Sequence, residues 1–297
     1  MFGSSRVGYN LLGYNSMRQQ FKLTDPAFLA TATNRVTTAD LWAARVILNG
    51  GANPSAGTVS ALQTFYNYLV ANSLLSKIVA CNCIVPDNLI ASLTPLIVGP
   101  GLDPWTNHNF LAGDITVNGL QGANTKYLET GVNPSTALST NSAGVTFYFK
   151  TSPNETKIDF GCNDGTKVFE FYNHYSDTTY WDCWNTNNDQ GRLWVAQFTG
   201  TGYISANRKA NNHSTVFWAA AGIAHFAMKT ITGTTIGTAP NYSAFLFTSN
   251  GSGSPNANYS TKQISFCAIH AGWTEAESAL FFTGIQALRT SLGGGYL

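Results

Sequence analysis

The chain has 297 residues, long enough to bury a sizeable core as one or two domains. Charged residues make up only 10% and the formal net charge is +1, so there is no electrostatic field to gather nucleic acid or anionic lipid. No run of 18 apolar residues occurs, so no membrane span is expected, and the Met1–Arg6 start lacks the apolar segment of a signal peptide.

Residues 1–36 read as an extended N-terminal arm, with Gly8-Tyr-Asn and Gly13-Tyr-Asn echoing each other around Leu11-Leu12. A helical lead-in follows over 37–104. Thr37-Thr-Ala-Asp40 opens a short helix with Leu41, Ala44 and Leu48 on its buried side, ended by Gly50-Gly51. A second helix spans about 55–72, with Val59, Leu62, Phe65, Tyr66 and Leu69 toward the core. Asp87 is placed as the cap of a short helical turn through Leu93.

From about residue 105 the apolar period changes from helical to two. Val145, Phe147 and Phe149 alternate with Thr146, Tyr148 and Lys150; Phe169 and Phe171 alternate with Glu170 and Tyr172. Each set predicts a half-buried strand. Further strands are expected at 115–120, 126–130, 158–162, 179–185, 192–198, 202–206, 215–220, 225–230 and 243–248, separated by Gly, Asn, Asp and Ser turns. Ile264–Gly272 reads as a strand buried on both faces. The clearest helix follows at 274–292: Thr274 and Glu277 form a capping box, and Phe281, Ile285, Leu288 and Leu292 make one apolar stripe. The expectation is a mainly β protein: an antiparallel β-sandwich of jelly-roll type over 105–297, with an N-terminal helical segment and the C-terminal helix packed on it.

Several phrases resemble phage virion proteins with a concanavalin A-like, laminin-G-like domain. They are Asn109-Phe-Leu-Ala-Gly-Asp114 with Gly119–Leu128 at the entry, and Ala244-Phe-Leu-Phe through Asn250-Gly-Ser-Gly-Ser-Pro255 with the final strand and helix at the exit. The helix at 55–72 with Cys81-Asn-Cys-Ile is similar to the family's lead-in. The resemblance implies a concanavalin A-like fold and a place on the virion, as tail fibre, adhesin or capsid decoration. The partners it implies are other virion proteins, further copies of the chain, with a trimer as the guess, and host surface glycans.

No catalytic set emerges, and the chain is expected not to be an enzyme. A glycosidase needs two carboxylates flanking the sugar bond, yet the strands bearing Asp159, Glu170 and Asp182 carry one acid each, and Glu275 and Glu277 lie in a helix start. None of the five histidines lies three or four residues from another, and His270 falls in the buried strand, where a hydrogen-bonded core residue is expected. The five cysteines include no zinc or redox spacing and read as reduced. No cofactor is expected; the only candidate calcium ligands are Asp164 with Asn163 and Asp189 with Asn188, and Asn163-Asp-Gly165 reads first as a turn.

The candidate contact surface is Tyr175, Tyr180 and Trp184 with Asn185, Asn187 and Asn188. Aromatic faces stack on sugar rings, and amides serve hydroxyls. Strict alternation puts Tyr180 and Trp184 on one face of a strand and Trp181 on the other, so one of the two faces belongs to the core.

Overall fold

The computed structural model describes residues 37–186, 192–196, 200–210, 213–219, 226–232 and 238–294. The arm expected at 1–36, and Asn187, Asn188 and Asp189, lie outside them, as does the side chain of Asn185. The described elements belong to one compact unit, Thr38–Leu297. No described helix is long and apolar enough to cross a membrane.

Helix α1 covers Thr38–Leu48 and α2 Ala56–Ala71. Strand β1 (Ile78–Asn82) and the short α3 (Leu89–Leu93) follow. Next come β2 (Thr106–His108), β3 (Ile115–Thr116), β4 (Gly119–Gln121), β5 (Tyr127–Glu129) and the one-turn α4 (Pro134–Ala137). The long strands are β6 (Ala143–Thr151), β8 (Lys167–Tyr175), β9 (Thr178–Thr186) and β11 (Gly202–Ala210), with β7 (Phe160–Asn163), β10 (Leu193–Ala196), β12 (His213–Ala219) and β13 (Phe226–Thr232) among them. Short β14 (Phe245–Leu246), β15 (Asn250–Gly251) and β16 (Ser254–Pro255) lead to β17 (Gln263–His270) and α5 (Glu275–Ser291).

These strands form two sheets. The first runs β13-β12-β11-β6-β17-β4-β3, with β1 also paired to β17; the second runs β10-β9-β8-β7-β14-β5-β2, with the β15–β16 ribbon on β7. Among the described residues these strands pair antiparallel apart from the two-residue contact of β15 with β7, and an isolated parallel bridge joins Ile158 to Tyr259. The inward side chains close the sandwich: Phe147 and Phe149 of β6 meet Phe171 of β8, the Phe147 and Phe171 rings stacking at 5.1 Å. The expected mainly β sandwich with a C-terminal helix is therefore observed.

A second core lies on the outer face of the first sheet. Phe65 of α2 and Phe281 of α5 close on Phe266 of β17 at 5.9 and 5.6 Å, and Trp273 meets Phe281 at 4.0 Å. The capping box of α5 is present: Thr274 Oγ1 accepts from Glu277 N, and the Glu277 carboxylate accepts from Thr274 N. All four stripe residues of α5 are buried, and Gly293 stops the helix at φ 79°.

Three expectations change. Strand β6 is buried on both faces rather than half-buried, because α5 and its neighbours cover the side bearing Thr146 and Tyr148. Helix α1 turns by about 100°, one residue's rotation, from the expected face. Ala39, Trp42 and Val46 are buried, while Leu41 and Leu48 are 54% and 74% exposed. Trp42 decides this, filling the core and donating its indole N–H to Thr94 O at 2.9 Å. The cap of α3 is Asn88, which accepts from Ala91 N; Asp87 instead accepts from Ser55 N and Thr58 Oγ1, tying its loop to the start of α2. Strand β1, unassigned from sequence within the 37–104 lead-in, pairs with β17 and belongs to the first sheet.

The five cysteines are free and buried. His270 is a buried, hydrogen-bonded core residue as expected. Its Nε2 lies 2.8 Å from Thr146 Oγ1 and its Nδ1 2.7 Å from Ala271 O, and burial holds its pKa down to about 3.

Candidate functional site

Among the described residues, no helix covers the outer face of the second sheet. Inward residues of β8 and β9, Phe169, Phe171 and Trp181, fill the sandwich core. The residues between them point the other way and are arranged in two rows by the strand register. In one row Tyr172 of β8 stands opposite Tyr180 of β9, and Tyr180 opposite Trp194 of β10. In the other, Glu170 stands opposite Asp182, and Arg192 lies just before β10 beside Asp182. Adjacent strands lie about 4.8 Å apart, so the residues of each row stand side by side.

The rows lock each other. Arg192 donates through Nε and Nη2 to both oxygens of Asp182, at 2.8 and 2.7 Å for the shorter pair. Its guanidinium also lies 5.0 Å from the ring centre of Tyr180 and 5.8 Å from that of Tyr172. The rings of Tyr172, Tyr175 and Tyr180 meet edge to face, with centroids 5.5–6.2 Å apart. Glu170 accepts from Asn163 Nδ2 at 2.5 Å, from Ser249 Oγ and from Tyr172 Oη. Burial pushes the Glu170 carboxyl up, opposed by these hydrogen bonds, and burial with the Glu170 charge pushes the Tyr172 hydroxyl up. Gly161, opposite Glu170, leaves room for that carboxylate: a Cβ there would meet Glu170 Cγ at 2.8 Å. Trp194 is the exposed member of the face, at 51%.

The expected contact residues divide. Tyr175 and Tyr180 lie together on this face. Trp184 does not: it is fully buried and stacks on Phe169 at 4.8 Å with the ring planes 16° apart. A β-bulge is the reason. Val168 pairs with Asn185 but Phe169 with Cys183, so Trp184 is an extra residue in β9, at φ 60°. The bulge breaks alternation and turns Cys183 and Trp184 both into the core. The backbone of Asn185 continues β9 beyond the bulge, and Asn187 and Asn188 fall outside the described residues.

Sequence reasoning missed Tyr172, Trp194, Arg192 and the Glu170–Asp182 adjacency. The missing signal is cross-strand register, which a single strand's pattern does not contain. Asp164, a candidate calcium ligand, caps its own turn: Oδ1 accepts from Thr166 N, Thr166 Oγ1 and Lys167 N. Among the described residues, no group of three or more His, Cys, Asp or Glu is placed to hold a metal.

Beside this face, at the β8–β9 turn, is an open pocket of about 580 Å3 lined by Asn154, Glu155, Thr156, Lys157, Ser176 and Asp177. Asn154 and Asp177 bond reciprocally across it, Nδ2 to Oδ1 at 2.6 Å and Asp177 N to Asn154 Oδ1 at 3.1 Å.

No family model and no curated protein matches the sequence. Among solved structures, the chain is similar to an arabinofuranosidase complexed with arabinofuranosyl-alpha-1,2-xylobiose, at TM-score 0.43 and 12% identity over 65% of this chain and 46% of that one. It is similar to the CBM40 of a Ruminococcus gnavus IT-sialidase, at TM-score 0.37 and 11% identity over 54% of this chain and 95% of that one. It is similar to the HCR/D protein, at TM-score 0.46 and 9% identity over 70% and 52% of the two chains. The chain spans about a quarter of another similar structure, NanB, and under half of the arabinofuranosidase. At these scores the site must be read from its own side chains.

Proposed function

We propose that the chain is a non-catalytic glycan-recognition module whose ligand lies on the outer face of the second sheet. The observation that carries this reading is the Tyr172–Tyr180–Trp194 row, braced by the buried Glu170 and Asp182 carboxylates and the half-buried Arg192 beside it. A sugar offers an apolar ring face and a rim of hydroxyls. Such a ligand needs an aromatic surface next to fixed charged and amide groups. Trp194 supplies exposed aromatic surface, and Arg192, pinned by Asp182 and lying over the Tyr180 ring, holds the row in place so that little freedom is lost on binding.

The two adjacent carboxylates do not favour hydrolysis. A hydrolase needs one acid poised to protonate the leaving oxygen and a second poised for attack or for activating water. Here Asp182 is held by Arg192 through both oxygens, and Glu170 accepts from three donors. Both have structural work already.

A glycan array read with wild type and Trp194→Ala tests the reading. Specific binding by the wild type, lost in the variant while its unfolding curve stays unchanged, is the expected result. Equal binding by both proteins, or none by the wild type, overturns it.

The phrases shared with phage virion proteins support a location for such a module: the surface of a phage particle, in a fibre, adhesin or decoration, beside other virion proteins and further copies of itself. Antibody to the chain is expected to label intact particles; labelling confined to lysate counts against that location.

A further inference from the structure

We infer that the pocket at the β8–β9 turn and the aromatic face are two stations of one binding strip, so that the ligand is a chain of linked, uncharged sugar units rather than a single terminal sugar. This rests on the glycan-binding reading above and adds length and charge to it.

The strip is continuous. Trp194 stands opposite Tyr180 on the neighbouring strand, and the Tyr180 and Tyr175 rings are 5.9 Å apart. Tyr175 runs directly into Ser176 and Asp177, which line the pocket. From Tyr180 back to Asp177 is three residues, about 10 Å of extended chain. That length, added to the step across to Trp194, exceeds one sugar ring.

The chemistry changes along the strip. The Trp194 end is aromatic and suits the apolar face of a ring. The pocket end offers the Asp177 carboxylate and the Lys157 ammonium, which suit hydroxyls, while Glu155 is held by Thr261 and Lys262 and braces the pocket floor. The Asp177 side chain is 71% exposed and the Lys157 ammonium lines the same pocket, so the two charges offset and give an acidic sugar no net attraction.

The turn is also held in a costly shape. His174, Ser176 and Asp177, none of them glycine, sit at φ 53°, 46° and 60°. Left-handed backbone is unfavourable for such residues. The reciprocal Asn154–Asp177 bonds and the 2.6 Å contact of His174 Nδ1 with Ser152 O keep it there. The pocket wall is thereby fixed before any ligand arrives, which lowers the ordering cost of binding.

The test is an array and titration series using ladders of neutral linear oligosaccharides, one to four units long, with the same ladders capped by sialic acid. For the wild type, affinity is expected to rise about tenfold or more from one unit to three. Asp177→Ala should abolish that rise while leaving single-unit binding intact, and Trp194→Ala should weaken every length. Lys157→Ala, whose ammonium takes no part in the turn's hydrogen bonds, should give the same length-selective loss if Asp177→Ala unsettles the turn. Equal affinity for one unit and three, a rise that survives both pocket variants, or tighter binding of the sialylated ladders would overturn the strip while leaving glycan recognition standing. No binding to any ladder would sink both.

Discussion

On the outer face of the first sheet, Tyr148, Tyr203 and Phe266 lie under α5 and α2. On the outer face of the second, Tyr172, Tyr180 and Trp194 lie under no described helix. Both faces are aromatic and polar, and both come from strands with similar alternation. On the covered face the two tyrosine hydroxyls and the Ser265 carbonyl are answered from the helix. Tyr203 Oη and Ser278 Oγ are 2.8 Å apart, Gln286 Nε2 donates to Tyr148 Oη at 3.1 Å, and Arg289 reaches Ser265 O and Val117 O. On the second face, among the described residues, Arg192 and Asp182 answer each other sideways, and Glu170 is answered by Asn163, Ser249 and Tyr172. The first arrangement uses its aromatics for stability. The second leaves Trp194 half-exposed.

Four measurements press on that contrast. The largest effect belongs to the covered face: Phe281→Ala empties the space among Trp273, Phe266 and Phe65 and should cost about 3–5 kcal/mol in urea unfolding. Next is acid. His270 is neutral in the folded chain, with a pKa of about 3 against 6.5 unfolded. The unfolded chain therefore binds the extra proton between these values. The contribution is complete above pH 6.5 and is lost on acidification at up to about 1.4 kcal/mol per pH unit, toward pH 3. His270→Gln should remove that part of the slope, read as the difference between the two proteins' stability–pH curves.

On the second face, Arg192→Met removes the bidentate ion pair from the buried Asp182 carboxylate. Arg192 is itself 27% exposed, so the cost should be about 1–3 kcal/mol, below that of a fully buried pair. Glycan affinity should fall with it. Smallest is Trp194→Ala, whose stability change should stay within about 0.5 kcal/mol. A Trp194 variant that unfolds easily would erase the distinction between the two faces.

The sequence made the helices and nearly every long strand legible, because their apolar periods are strong over eight or more residues. Strand β17 was readable as buried on both faces since Ile264 to Ile269 are all apolar or small. Strand β6 was not, because Thr146 and Tyr148 look solvent-facing until Ser205, His270 and Gln286 appear as their partners. The face of α1 was misjudged because Leu41 and Leu48 compete with a single tryptophan, and the tryptophan wins by volume and its hydrogen bond. Half of the candidate site was visible as a Tyr-rich stretch. The rest depends on which residues stand opposite each other, and one extra residue in β9 was enough to move Trp184 from the expected surface to the interior.

That extra residue also acts as a ratchet tooth for the whole display. Were β9 to slide one place along β8, the large indole now wedged against Phe169 would be expelled into water and a carboxylate driven inward. The alignment of Tyr180 with Tyr172, and through it of Trp194, is thus enforced from inside the sandwich, by a residue no ligand touches.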